Sequence, residues 1–284
     1  MTQFIRHYLL AVQFFTRIPV TGALADWVGY STAMLRASAA HFPGVGWLVG
    51  CLVSALSALL LWALPYNAFA PLVVATLGTA FSILLTGAFH EDGLADVADG
   101  LGGSLDRNRA LEIMKDSRVG AFGAIAIVSA LLIKVALLAQ LAALGYGLLC
   151  MGLFAGHVVS RTWPLALIRL LPHVGDVAGS KSKPLADQIT GGALLAALVW
   201  CFSALGLVVW VQSQWGVVAA GHDASALLEP LAAALLASAL AFWVLWRWFA
   251  KRLQGFTGDC LGTVQQVCEL AFYLGLALGW SASN

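Results

Sequence analysis

Apolar positions in this chain come in long unbroken blocks, not in the amphipathic rhythm of a soluble helix. Pro43–Leu64 and Pro71–Phe89 are each long enough for a membrane-spanning helix, which needs roughly 20 apolar residues, and a short break parts them. Val119–Ser160 is about twice that length and carries a single charge, Lys134. Gly145-Tyr146-Gly147 supplies a turn at its middle, so two helices are expected there. Gly191–Val211, Pro230–Trp246 and Cys260–Trp280 bring the tally to seven. Tyr8–Phe15 is apolar but too short to cross. It is expected to lie in the interface or re-enter, with Arg6 and Arg17 at the headgroups.

Composition agrees with this pattern. Of 284 residues, 61% are hydrophobic and 10% charged, against about 25% charged in soluble domains. The fold class is therefore an all-α, polytopic integral membrane bundle of about seven helices. It is read as a single transmembrane domain over 1–284, with an N-terminal interfacial segment at 1–42 and an acidic loop at 90–118. A net charge of +1 gives no bulk field for nucleic acid as a partner. Cys51, Cys150, Cys201, Cys260 and Cys268 are scattered in or beside apolar runs and form neither a metal motif nor a disulfide framework. No small-residue cleavage site follows Tyr8–Phe15, so a removable signal peptide is not expected.

The basic residues set the orientation. Arg6, Arg17 and Arg36 precede the first span, and Arg107, Arg109, Lys115 and Arg118 lie between the second and third. Arg161, Arg169, Lys181 and Lys183 follow around the end of the fourth, and Arg247, Lys251 and Arg252 close the sixth. The intervening breaks near Tyr66, Gly145 and Gln212–Glu229 have none. Fourteen of the fifteen basic residues thus fall on one side, which the positive-inside rule makes the cytoplasm. The expected placement is a bacterial inner membrane, with the N-terminus inside and the C-terminus outside.

The acids are concentrated on that same side. Seven of the fourteen, Glu91, Asp92, Asp96, Asp99, Asp106, Glu112 and Asp116, sit in one inter-span segment. Asp92, Asp96 and Asp99 are spaced i, i+4, i+7 and share a helical face, with apolar Leu94, Ala95, Val97 and Ala98 between them. Like charges at the C-terminal end of a span need a cation, and dense carboxylate oxygens suit Mg²⁺ or Mn²⁺. Lys115 and Arg118, just before the Gly120–Gly123 mouth of the third span, point to an anion site at a helix N-terminus. Gly255, Gly258 and Asp259 open the last span similarly; Asp259 reads either as a plain N-cap or as part of a phosphate site. Arg161 either snorkels to the headgroups or clamps phosphate, and His157 one turn earlier reads as a packing residue. Acids for a metal and bases for phosphate on one membrane face point to phosphoryl transfer.

These blocks resemble a known family, adenosylcobinamide-GDP ribazoletransferase, also called cobalamin (5′-phosphate) synthase. The resemblance rests on Gln13–Pro19, His41-Phe42-Pro43 with Gly44 and Gly46, Glu91–Leu101, Met114–Gly123 and Gly255–Gln266. It implies a reaction of adenosylcobinamide-GDP with α-ribazole, or its 5′-phosphate, at the ribose 3′-hydroxyl, releasing GMP. It implies Mg²⁺ across the pyrophosphate, held by Asp92, Asp96 and Asp99, with Glu91 a ligand or base. Lys115, Arg118 and Asp259 are then candidate phosphate or ribose contacts, and other cobalamin-pathway enzymes candidate partners.

Two rival readings are weighed. Asp96-x-x-Asp99-Gly100 begins a CDP-alcohol phosphotransferase signature, but Gly103-Ser104 stands where Ala-Arg is expected and no Gly-x-x-x-Asp-x-x-x-Asp follows. A secondary transporter would use intramembrane charges such as Lys134 and Glu269, yet the ionisable residues crowd one edge. Counting 1.5 Å per residue along each helix leaves Lys134 and Glu269 about 7 Å apart in depth, so an ion pair between them is geometrically open. The competing expectation is that Lys134 snorkels outward while Glu269 stays protonated or bonds Gln265 one turn earlier.

Overall fold

The computed structural model describes residues 2–65, 67–175, 189–215 and 227–283. Among them there is no strand, and one isolated parallel bridge joins His173 to Phe256. The chain opens with three short helices, α1 (Thr2–Phe15), α2 (Ala23–Val28) and α3 (Thr32–Ser38). A 3-10 turn at Ala39–His41 leads into α4 (Phe42–Ala63), then α5 (Ala70–Thr86). Next come α6 (Phe89–Gly103), α7 (Arg107–Ile113), α8 (Ala121–Leu144) and α9 (Tyr146–Leu170). The last three are α10 (Gly191–Trp215), α11 (Leu228–Arg252) and α12 (Gly258–Ser283).

Five stretches are individually long and apolar enough to cross a membrane: Thr32–Ala63, α8, α10, α11 and α12 up to Trp280. The bent pair α5–α6 makes six if it counts as one span. The remaining expected span is α9, whose His157, Arg161 and Arg169 lower its mean hydropathy. It tolerates them because its neighbours α4, α8, α10 and α12 enclose it. Gly147–Leu149 and Met151–Arg161 are all buried, so α9 is the axis of the bundle and not a lipid-facing wall. Glycine lets α4 come close to it. A Cβ on Gly46 would lie 2.5 Å from the His157 carbonyl oxygen, and one on Gly50, a turn later, 3.0 Å from Phe154 Cα. This small-xxx-small spacing is what packs helices where no hydrophobic force separates protein from solvent. The outer helices instead turn large side chains outward, among them Leu132 and Ile133 on α8 and Val199 and Phe202 on α10.

The helices alternate in direction, so the bundle has two chemically different ends. One end gathers the starts of α4, α6, α8 and α12 with the ends of α9 and α11. There the Phe42 and His90 rings stack at 5.8 Å, the Phe256 amide donates to the Pro172 carbonyl at 3.0 Å, and Arg252 donates to the Ser104 carbonyl at 2.6 Å. The opposite end holds a cavity of about 720 Å³ lined by residues such as Leu64, Asn67, Pro71, Ala142 and Tyr146, with no charged side chain.

The acidic segment expected as a loop over 90–118 is instead two helices. α5 ends at an elbow where Gly87 (φ 67°) and Ala88 (φ 59°) are left-handed, and α6 leaves at 90° to lie across the end of the bundle. A left-handed alanine costs about 1–2 kcal/mol, and the Arg17 amide, donating to the Leu85 carbonyl at 2.7 Å, steadies the turn. Burial of Ala95, Val97 and Leu101 explains why this acidic stretch is helical: its apolar residues dock on the bundle. Gly145 separates α8 from α9 as expected, but α9 runs on past Ser160 to Leu170. Tyr66, Lys181 and Lys183 lie outside the described residues.

Candidate active site at the α6 end

Two crossings fix α6. Against α12 the contact is glycine on backbone: a Cβ on Gly93 would lie 2.8 Å from the Asp259 carbonyl oxygen. Thr263 Oγ1 donates to the Gly93 carbonyl at 3.0 Å across the same contact. Against α8 the contact is a pair of hydrogen bonds to a carboxylate. Asp99 takes the Gly120 amide on Oδ2 at 2.7 Å and the Gly123 amide on Oδ1 at 2.8 Å, so a carboxylate from α6 caps the N-terminus of α8. Arg252 and Arg107 brace the far side: Arg107 Nε donates to the Leu253 carbonyl at 2.7 Å. Neither Arg stood out as a bracing residue in the sequence, because their partners are carbonyls about 150 positions away.

The shared face of Asp92, Asp96 and Asp99 therefore splits into different environments. Asp92 is exposed, Asp96 half-buried and Asp99 buried under α8. Each Asp99 oxygen accepts one amide, so Asp99 caps the start of α8. Asp259, the N-cap or phosphate candidate, lies beside the remaining two acids. Burial first, then the charges of Asp259, Asp92 and Asp99, push the Asp96 carboxyl up to about 7. Thr257 Oγ1 donates to Asp259 Oδ2 at 3.1 Å and holds it in place. Among the described residues, no three His, Cys, Asp or Glu side chains are drawn together as a metal cage. What the fold supplies is a concentration of negative charge around Asp96.

The other expected residues are placed as follows. Arg118, exposed beyond α7, forms a two-point pair with Asp116, through Nε at 2.9 Å and Nη2 at 2.5 Å, which holds the Asp116 carboxyl down at about 2. Lys115 is exposed on the same connection. Arg161 does not snorkel. It is buried inside α9, donating to His157 Nδ1 at 3.0 Å and the His157 carbonyl at 2.9 Å, 5.7 Å above the Phe42 ring. His157 is thus a packing and bonding residue, as its position suggested. Glu91 turns inward from α6, where Gln266 Nε2 donates to its Oε1 at 2.9 Å.

Deeper in the bundle Lys134 and Glu269 do pair, at 2.7 Å, with side chains 2% and 1% exposed. The competing contact forms as well, since Gln265 Nε2 donates to Glu269 Oε2 at 2.6 Å. Tyr273 donates its hydroxyl to Glu269 Oε1 at 2.9 Å, and Gln265 also reaches Ser160 Oγ at 3.1 Å. Ser160, Gln266 and Tyr273 were not singled out for such roles. The adjacent Gln265-Gln266 in an apolar helix was the available signal.

Comparison with known proteins extends over nearly the whole chain. A family model described as Cobalamin-5-phosphate synthase matches residues 7–277. A protein named adenosylcobinamide-GDP ribazoletransferase from Albidiferax ferrireducens is 68% identical over 98% of this chain and 100% of its own length. The protein of the same name from Polaromonas naphthalenivorans is 60% identical over 98% of this chain and 99% of its own. The one from Vibrio cholerae is 40% identical over 94% and 91%. No solved structure matches significantly.

Proposed function

Because this chain belongs to the cobalamin-5-phosphate synthase family, we propose that it is itself an adenosylcobinamide-GDP ribazoletransferase, working at the α6 end of the bundle. The 3′-hydroxyl oxygen of α-ribazole, or of its 5′-phosphate, bonds to the phosphorus attached to cobinamide. The bond from that phosphorus to the GMP oxygen breaks, and GMP leaves with the electron pair. A transfer of this kind asks the protein for positioning and charge neutralisation more than for covalent chemistry. The relatives give no support to a CDP-alcohol phosphotransferase or to a transporter, since they carry the ribazoletransferase name.

The observation that carries the site assignment is Asp96, whose carboxyl is lifted to about 7 by burial and by Asp259, Asp92 and Asp99. Such uncompensated hard-oxygen charge fits Mg²⁺, with Mn²⁺ the closest substitute, and Asp96, with Asp92 and Asp259 as its acidic neighbours, would hold it. Bound there, the ion supplies positive charge to the substrate's pyrophosphate. Asp99 contributes by locking α6 to α8. Glu91, the inward-facing acid, is the candidate to take the ribose hydroxyl proton. Lys115 and Arg118 offer phosphate contacts from the exposed rim. We place this end in the cytoplasm of a bacterial inner-membrane protein, N-terminus in and C-terminus out, supported by the basic residues that surround it.

Purified protein in nanodiscs tests the reaction. GMP should appear from adenosylcobinamide-GDP only when α-ribazole or its 5′-phosphate is added. Absence of GMP with both substrates and Mg²⁺ present contradicts the proposal.

A further inference from the structure

Glu91 is held from the inside of the membrane bundle, by a chain of side chains that begins at an ion pair. Glu269 accepts at both oxygens, Oε1 from Lys134 at 2.7 Å and from Tyr273, Oε2 from Gln265 at 2.6 Å. Gln265 must therefore turn its NH₂ toward Glu269 and Ser160, which uses both of its amide hydrogens. Its Oε1 is left as an acceptor, and Gln266 Nε2 donates to it at 3.1 Å. The second hydrogen of Gln266 then points at Glu91 Oε1, 2.9 Å away. Every group in the chain is buried, so no step can be exchanged for water without loss. The direction of each bond follows from the one before it, starting at the anion.

We infer that Gln266 is a positioning residue for Glu91, with Gln265 and the Lys134–Glu269 pair as its anchor. The inference rests on the reading of Glu91 as the group that takes the ribose hydroxyl proton. Amides do not ionise, so the chain cannot carry a proton out of the site; what it fixes is geometry. It ties down one oxygen of Glu91 and leaves Oε2 as a buried acceptor without a hydrogen-bond partner among the described residues. The chain also joins four helices, α6, α8, α9 and α12, at a buried carboxylate of the site helix. Displacing a reacting group by about 1 Å can lower turnover about 100-fold without changing what binds.

The test is steady-state GMP release by full-length protein in nanodiscs. Gln266→Met keeps the length and removes the donor. It should lower kcat by about 10- to 100-fold and leave KM for both substrates within about twofold. Set in a Glu91→Ala background, the same change should lower the residual rate by less than about twofold, because there is no longer a carboxylate to position. Gln265→Met breaks the chain one link earlier and should show the same pattern; it serves also if the Gln266 variant does not fold. An unchanged kcat in both glutamine variants overturns the inference, as does an equal fold-loss with and without Glu91. If Glu91→Ala by itself keeps full turnover, the underlying reading of Glu91 fails first. If Glu91→Ala is impaired while Gln266→Met is not, only the positioning role is rejected.

Discussion

Two groups of acids sit a few helical turns apart, and the bundle treats them oppositely. At the centre, Glu269 meets Lys134, Gln265 and Tyr273 within 3 Å, every oxygen matched by a donor of its own chain. At the α6 end, Asp96 meets other acids, and the carboxyl rises to about 7. A buried anion that the protein neutralises itself is architecture. One left facing like charges, half open to solvent, is where we propose that a cation from outside binds. Asp99 lies between these cases: it belongs to the acidic helix, yet the Gly120 and Gly123 amides hydrogen-bond both of its oxygens.

The largest effect should come from Asp96→Asn. It removes the central oxygen donor while relieving repulsion, so GMP release should fall at least about 1,000-fold, as when a Lewis-acid metal is lost. The thermal midpoint of metal-free protein should stay level or rise. A variant that is inactive because it melts would erase the distinction drawn between the two groups. Lys134→Met should behave in the reverse sense: it strands Glu269 in the core and should destabilise by about 3–5 kcal/mol. Exchanging the pair, Lys134→Glu with Glu269→Lys, should recover part of that loss in a detergent melt. Simple addition of the two single effects would mean that the pair is not coupled.

The ion pair also marks how far the sequence could be read. The helix axes follow from the apolar runs, and the depths of Lys134 and Glu269, about 7 Å apart, follow from counting residues along them. The face shared by Asp92, Asp96 and Asp99 is equally a matter of counting. What spacing cannot carry is which neighbour crosses that face. α8 sets its first amides on Asp99, and α12 brings Asp259 alongside Asp96, through glycine contacts between segments distant in the chain. The helical register of Asp92, Asp96 and Asp99 is legible in their spacing; that α6 docks on the bundle through Ala95, Val97 and Leu101, and that α9 runs on past Ser160, is not. An arginine that looks like a helix end at position 161 is buried because the bundle closes around it.

A pH series sharpens the contrast more finely. With its carboxyl lifted from 3.8 to about 7, Asp96 in metal-free protein holds its proton more tightly folded than unfolded. Its contribution to stability is therefore fully present below the ordinary value and is lost as pH rises toward 7, so melts in EDTA should show a falling midpoint over that window. Mg²⁺ competes with the proton, and its apparent affinity should drop about tenfold for each pH unit below 7. Titration calorimetry checks this, and a flat affinity between pH 5.5 and 7 would count against Asp96 as a ligand. The smallest effect belongs to Arg118→Ala. Its pair with Asp116 is exposed and should leave the melting temperature unmoved, while the KM for adenosylcobinamide-GDP rises about two- to fivefold through a lost phosphate contact.

The most direct measurement is Mn²⁺ binding followed by electron paramagnetic resonance on three purified proteins: the natural chain, Asp96→Asn and Glu269→Gln. The account predicts saturable binding to the natural chain, retained in folded Glu269→Gln and lost in Asp96→Asn. Equal binding by Asp96→Asn and the natural chain would contradict it.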